Sequence, residues 1–156
     1  EHCAPFVVAA GAATPQQLAE RRPWFIEAVK SEQARIHTYG ELAPRIAYAF
    51  QPDENVTWQP DAEVAVRKHV GAAATLRAYA AWLAPRVENG VNAAELRDAS
   101  KLWAQEQGLK LPAFFQPLRC ALAGVVQGAD AFDVMALLGG ASTLRRLERG
   151  AARLSD

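Results

Sequence analysis

The chain has 156 residues, with 17 lysines and arginines, 17 aspartates and glutamates, and a formal net charge of zero at pH 7. A chain of this length can bury about two thirds of the surface that its unfolded form exposes, so one domain or two small subdomains are both feasible. A neutral chain is not expected to coat phosphate backbones indiscriminately, which leaves a local basic patch as the electrostatic route to nucleic acid.

The first part of the chain carries two helix-start signals. Thr14 and Gln17 have the spacing of a capping box, and Pro15 suits the first position of the helix that they predict. Pro23 begins a second amphipathic stretch, which continues to about residue 35. Its apolar residues recur at helical spacing, and Glu32 falls on its polar side.

A second capping box and a linker follow. Thr38 with Glu41 predicts a continuous helix over residues 39–50. Residues 51–61 combine prolines, acidic residues and an asparagine, which is typical of turns and linkers. Trp58 lies in this polar linker, and it is the one tryptophan that we expect to be exposed.

The linker also suggests how the chain is divided. We place a subdomain boundary there, between residues 1–58 and residues 59–156. Beyond it, Asp61 predicts the start of a long helix to about residue 83. Asn92 with Glu95 forms a third capping box, and the helix that it opens should end at Gly108.

The last third of the chain predicts three more helices. Pro117 should begin a short apolar helix that Gly124 ends. Asp130 should cap the next helix, which Gly139 ends. The final helix has leucines on one side and a basic surface on the others, formed by Arg145, Arg146, Arg149 and Arg153.

These elements predict the fold class. Alanine is abundant, and leucine, glutamate, glutamine and arginine are frequent, which is typical of helices. No alternating run of β-branched residues is long enough to indicate a sheet. We therefore expect an all-α protein of about seven or eight helices in two packed helical subdomains, hinged in the linker.

Signals for catalysis and metal binding are scarce. His2, His37 and His69 lie on separate segments without metal-ligand spacing, and the acidic residues form no paired catalytic set. A glycine-rich phosphate loop and a nucleophile–histidine pattern are also missing from the sequence. We expect this chain to hold no catalytic residue, no metal and no cofactor.

The location can be predicted from the cysteines and the hydropathy pattern. Cys3 and Cys120 are too few for a disulfide framework, which favours a reducing, cytoplasmic environment. No stretch reaches the roughly 20 apolar residues that span a bilayer, so no membrane is expected. The missing initial methionine indicates a fragment or a processed product.

Several of these residues together resemble the C-terminal signature of bacterial glutamyl-tRNA synthetases, PLR-x-ALTG followed by LLG and RL. An upstream motif of that family, Arg-x-x-Thr-Leu-x-Glu-Leu, is also similar, with Tyr39 in place of the first leucine. The chain departs from the signature at Ala123, where threonine is usual, at Ala129, where proline is common, and at Gly140, where lysine often follows. The matching residues are Pro117, Leu118, Arg119, Ala121, Leu122, Gly124, Leu137, Leu138, Gly139, Arg35, Thr38, Glu41 and Leu42.

The resemblance implies an all-helical region that binds the tRNA anticodon and follows a class I catalytic core. The implied partners are glutamate tRNA and the catalytic domain of the same synthetase, without DNA, and a monomer is expected. ATP and magnesium would belong to that catalytic core. The residues implied to contact tRNA are Arg119, Arg35, Gly128, Ala129, Ala131, Arg145, Arg146 and Arg149.

These candidates differ in how strongly the residue pattern supports them. Arg119 is the one charge in an apolar helix, where an arginine that only interacts with solvent is less expected. Arg35 and the arginines of the last helix are equally well explained by the helix dipole and a solvated face. The neutral charge also leaves open a second class, a helical protein–protein interaction domain derived from this fold without RNA reading.

Overall fold

The structure is a computed structural model that describes residues 2–155. Within this range it contains ten α-helices and four short 3₁₀ helices, without a strand, so the all-α prediction is confirmed. Seven of the ten α-helices have eight residues or more. In chain order they are α1 (Ala4–Ala9), α2 (Pro15–Glu20), α3 (Arg22–Glu32), α4 (Leu42–Ile46), α5 (Pro60–Arg67), α6 (Ala72–Leu83), α7 (Ala93–Glu106), α8 (Leu111–Ala123), α9 (Ala131–Leu138) and α10 (Gly140–Arg153).

Three helices begin at the capping side chains that the sequence predicted, Thr14, Asn92 and Asp130. Thr14 Oγ1 accepts a hydrogen bond from Gln17 N at 3.1 Å, and Gln17 Oε1 accepts one from Thr14 N at 2.8 Å, which completes the capping box of α2. Asn92 caps α7 by accepting a hydrogen bond from the backbone of Glu95. Asp130 caps α9 in the same way.

The predicted helix over residues 39–50 is not continuous. It is divided into a 3₁₀ helix at Tyr39–Glu41, then α4, then a second 3₁₀ helix at Ala47–Ala49. The Thr38 hydroxyl donates to the Glu41 carboxylate at 3.1 Å instead of capping a backbone N–H. Because Pro44 has no backbone N–H, it also removes one donor from this segment.

Two other predicted boundaries were wrong. The long helix expected from residue 61 to residue 83 is divided into α5 and α6 by Gly71, which has a φ of 82°. Gly71 immediately precedes α6, while α5 ends at Arg67. A residue in this left-handed conformation cannot lie inside an α-helix, and glycine adopts it without the usual steric cost. The helix expected to begin at Pro117 begins earlier, at Leu111, and Pro117 lies inside α8.

The hydrophobic core runs through both halves of the chain. One cluster of buried side chains includes Phe25 and Phe50 from the first half and Leu76, Phe114 and Leu147 from the second. The helix α10 packs most extensively against α6 and α8. The division into subdomains at residue 58 stays a prediction.

The expectation that Trp58 is exposed was wrong, since only 7% of this residue is accessible to solvent. It packs with α5 and with Cys120 of α8, and the Arg153 guanidinium lies 4.9 Å from its ring centroid. The next residue, Gln59, donates its backbone N–H to the carbonyl of Gly124 at 2.9 Å. The linker is therefore bound to the helices that follow it.

None of the helices in the part of the chain that the structure describes is long and apolar enough to cross a membrane.

Candidate functional site

A cleft of about 790 Å³ lies between the segment after α3, the start of α5 and the end of α8. We call it the arginine cleft, because three arginines line it. Its other walls are formed by two carboxylates, two small apolar side chains, a proline, two glutamines and a glycine. The lining residues are Arg35, Arg45, Arg119, Glu41, Asp61, Val125, Val126, Pro44, Gln59, Gln127 and Gly128.

Arg119 enters the cleft from the last two turns of α8. Its neighbours in the chain, Leu118 and Cys120, are fully buried, so α8 is fixed in the core on either side of it. The Nε of Arg119 is buried and has no hydrogen-bond partner among the described residues. A buried donor without an acceptor loses its hydration without compensation, so an acceptor placed against this nitrogen would offset that cost.

Arg35 also lines the cleft, just beyond the end of α3. Its backbone N–H donates to the carbonyl of Glu32 at 2.8 Å, and its Nη1 donates to the carbonyl of Ser31 at 2.5 Å. These contacts hold the guanidinium near the helix C-terminus, as the helix dipole favours. The side chain stays exposed to solvent and faces the cleft.

Arg45 is the third arginine of the cleft and was not among the site residues predicted from the sequence. It lies on α4, where its Nη1 donates to Glu32 Oε2 at 3.2 Å. The Glu32 side chain is 1% exposed, although its position on the polar side of α3 predicted a solvated residue. One feature of the sequence could have indicated Arg45. It is a charged residue in a short segment whose neighbours Leu42, Ala43 and Ile46 are apolar and buried.

The loop between α8 and α9 closes the cleft from a third side. Gly124 and Gly128 have φ values of 74° and 138°, so this loop follows a path that other residues rarely adopt. Asp130, at its end, is paired with Arg97 at 3.1 Å. Burial alone would raise the pKa of Asp130, but the hydrogen bonds from Arg97 and the Phe132 backbone outweigh it and lower the pKa.

Ala129 at the end of this loop and Ala131 at the start of α9 are both buried. Ala129 is 7% exposed and Ala131 is 1% exposed, and both pack into the hydrophobic core. Gly128 lines the arginine cleft directly. Of the loop residues predicted to contact tRNA, only Gly128 therefore lies on the wall of the cleft.

The charges of the cleft are mixed. Three guanidinium groups face two carboxylates, Glu41 and Asp61. The pKa of Glu41 is lowered by hydrogen bonds from the His37 backbone and the Thr38 hydroxyl, so this carboxylate is ionised at neutral pH. Such a surface offers hydrogen-bond donors and acceptors side by side, as the edges of nucleic-acid bases require.

The arginines of α10 do not line the arginine cleft. Arg145 is exposed and pairs with Asp53 at 2.8 Å. Arg146 is 2% exposed and binds Asp53 and three backbone carbonyls, so its side chain offers no free surface. Arg149 is exposed and lines a separate, smaller cleft next to Trp58. The structure thus brings Arg35, Arg119 and Gly128 together and places the arginines of α10 elsewhere.

Comparison with known proteins identifies the family of this chain. The model of a family described as an anticodon binding domain matches residues 1–151. This chain belongs to that family. The anticodon-binding domain therefore accounts for nearly the whole chain, including every residue of the arginine cleft.

Curated relatives of this anticodon-binding domain are glutamate–tRNA ligases. The relative from Leifsonia xyli is 34% identical over 99% of this chain, and the relative from Moorella thermoacetica is 32% identical over 94% of it. The relative from Thermus thermophilus is 32% identical over 97% of this chain. These matches confirm the resemblance that the sequence motifs indicated. The chain spans only about three tenths of the length of these relatives.

Proposed function

We propose that this chain reads the anticodon of glutamate tRNA in the arginine cleft, as part of a longer glutamate–tRNA ligase. The observation that carries the proposal is Arg119, which lines a cleft with two further arginines and whose buried Nε has no hydrogen-bond partner among the described residues. Family membership supplies the class of ligand, an anticodon. The glutamate–tRNA ligases among the relatives supply the choice of tRNA.

The charge balance of the cleft favours bases over phosphates as ligands. Three guanidiniums and two carboxylates leave a small net positive charge, and the whole chain has a formal net charge of zero. Phosphate binding by itself requires a strong positive surface. Base edges instead require directional donors and acceptors, and unstacked bases of an RNA loop expose their Watson–Crick edges to such groups.

Arg119 suits this role because of its geometry. A guanidinium is planar and carries its donors in a fixed fork, so it can both stack on a base and donate to the O2 of a pyrimidine or the N3 of cytosine. The resemblance to the synthetase family implies an anticodon of C or U followed by U and C, all pyrimidines. Catalysis would belong to the part of the ligase beyond this chain, with tRNA and that catalytic part as partners, in the cytoplasm.

The test is the substitution Arg119→Ala in the 156-residue chain. Binding of glutamate tRNA and of tRNAs with single anticodon changes would be measured by fluorescence anisotropy at several salt concentrations. We expect the variant to lose about 1 to 3 kcal/mol of binding free energy and most of its preference for the matched anticodon.

Arg149→Ala is the matched control, because Arg149 is exposed and lies outside the arginine cleft. It should either have no effect or weaken all tRNAs alike and lower the salt slope by about one, which is the pattern of a phosphate contact. If Arg119→Ala stays folded and keeps both affinity and anticodon preference, the site assignment is wrong. If the unmodified chain binds no tRNA, a protein–protein interaction domain becomes the better interpretation of this fold.

A further inference from the structure

The three arginines of the arginine cleft are held in different ways. Arg45 forms an ion pair with Glu32 at 3.2 Å, and the two side chains are 35% and 1% exposed. Within residues 2–155, neither Arg35 nor Arg119 has a carboxylate within ion-pair distance. Arg45 is therefore partly neutralised in place, whereas the other two form no ion pair with a described residue.

Glu32 has little freedom to move away from Arg45. It is the last residue of α3 and is almost completely buried. The α8–α9 loop lies against it from the other side, since a Cβ atom on Gly128 would come within 3.4 Å of Glu32 Oε1. A carboxylate enclosed in this way fixes the direction of the guanidinium that it binds.

An arginine can offer RNA both a positive charge and directional hydrogen-bond donors, and the contact with Glu32 affects these two properties differently. A guanidinium has five N–H donors, and the contact with Glu32 uses one of them. The remaining donors are held in a fixed plane, but the buried carboxylate offsets the net charge. Such a group is poorly suited to bind phosphate by charge alone and well suited to donate to a neutral acceptor on a base edge.

We propose that Arg45 is a specificity-determining residue that donates to a base edge in the arginine cleft, and that Glu32 is a positioning residue that aims its guanidinium. This inference rests on the proposed function, because it requires RNA in the cleft. It adds to the proposed function a second residue that contacts a base, Arg45, and the buried carboxylate that orients Arg45.

The main test is Arg45→Lys, which keeps the positive charge next to the buried Glu32 and removes the planar fork. Matched and anticodon-changed tRNAs would be titrated against the 156-residue chain at several salt concentrations. We expect affinity for the matched tRNA to fall about 5- to 100-fold, with loss of discrimination at one anticodon position and an unchanged salt slope. Arg149→Lys, outside the cleft, should change neither property.

Glu32→Gln tests the positioning role, because it keeps the shape of the side chain and removes its charge. It should lower anticodon discrimination when Arg45 is present and cause no further loss in the Arg45→Lys background. Circular dichroism and the thermal midpoint would show that each variant is folded. If Glu32→Gln does not fold, the Arg45→Lys result decides the proposal by itself.

Two results would overturn the inference. Equal weakening of all tRNAs by Arg45→Lys would show a non-specific contact, and unchanged binding by a folded variant would show that Arg45 does not touch RNA. If the unmodified chain itself shows no anticodon preference, the proposed function fails first. If the unmodified chain discriminates and Arg45→Lys discriminates equally well, only this inference fails.

Discussion

Arg146 shows how a single residue can connect distant parts of the chain. Its Nε donates to Asp53 Oδ1 at 2.7 Å, and its two other nitrogens donate to the carbonyls of Leu122, Tyr48 and Gln51 at 2.8 to 3.0 Å. These contacts join α10 to α8, to the segment after α4 and to the linker. The basic residue that the sequence placed on an RNA-binding face is therefore an internal connector.

Replacing Arg146 should reduce stability rather than RNA binding. We expect Arg146→Met to lower the free energy of unfolding by about 3 to 5 kcal/mol, because three backbone carbonyls lose their donor and the partly buried Asp53 carboxylate loses one partner while keeping Ser142 and Arg145. Arg145→Met is the control: this exposed pair with Asp53 should contribute about 1 kcal/mol or less. Urea unfolding of both variants measures the difference, and equal losses would contradict the internal role of Arg146.

Asp53 makes this connection sensitive to acid. Burial alone would raise the pKa of Asp53, but hydrogen bonds from Ser142, Arg146 and Arg145 outweigh it, and the pKa is lowered. A carboxyl group with a lowered pKa in the folded state stabilises the fold above its unfolded pKa of about 3.9. That contribution is lost as the pH falls through the lower, folded pKa.

Asp53→Asn should therefore change the pH dependence of stability. At pH 7 the variant should be less stable than the unmodified chain, and the difference between them should shrink as the pH falls below about 4. Thermal or urea unfolding between pH 3 and pH 7 measures both curves. A difference that stays constant over this range would show that the ionisation of Asp53 does not stabilise the fold.

At the scale of elements, Gly124 decides how the linker meets α8. It ends α8 with a φ of 74°, and a Cβ atom added to it would lie 1.9 Å from the carbonyl oxygen of Thr57. Non-bonded heavy atoms do not approach each other this closely, so any side chain at this position must displace the linker. The same glycine accepts the backbone hydrogen bond of Gln59.

Gly124→Ala should consequently be among the costly single changes in this chain. We expect it to lower the free energy of unfolding by more than about 3 kcal/mol, through both the left-handed conformation and the collision with Thr57. Gly108→Ala provides the control, because Gly108 has a similar φ of 68° and open space around it. Gly108→Ala should lower the free energy of unfolding by about 1 to 2 kcal/mol. Chemical denaturation of both variants would separate the cost of the left-handed conformation from the cost of the collision with Thr57.

At the scale of the whole molecule, the shared core predicts cooperative unfolding. The main hydrophobic cluster includes side chains from both sides of residue 58, and Arg146 binds the carbonyls of Tyr48 and Gln51, which precede residue 58. We expect one unfolding transition when helicity and tryptophan fluorescence are followed together. Two separated transitions would instead support independently stable subdomains at residues 1–58 and 59–156.

The sequence by itself determined the local features of this protein. The caps at Thr14, Asn92 and Asp130 and the stops at Gly108 and Gly124 depend on hydrogen bonds between residues a few positions apart, so their spacing identified them. Helical composition determined the all-α class for the same reason. The family motifs also identified two arginines of the arginine cleft, Arg35 and Arg119.

Only the tertiary structure decided which polar and aromatic residues are buried. Glu32 and Arg45 are 13 positions apart, and Asp53 and Arg146 are 93 positions apart, so nothing in the local pattern links either pair. Burial of Trp58 likewise depends on helices that follow it in the chain. A buried charge is tolerated only where another segment supplies its partner, and that partner is determined by packing between elements rather than by the residues adjacent in sequence.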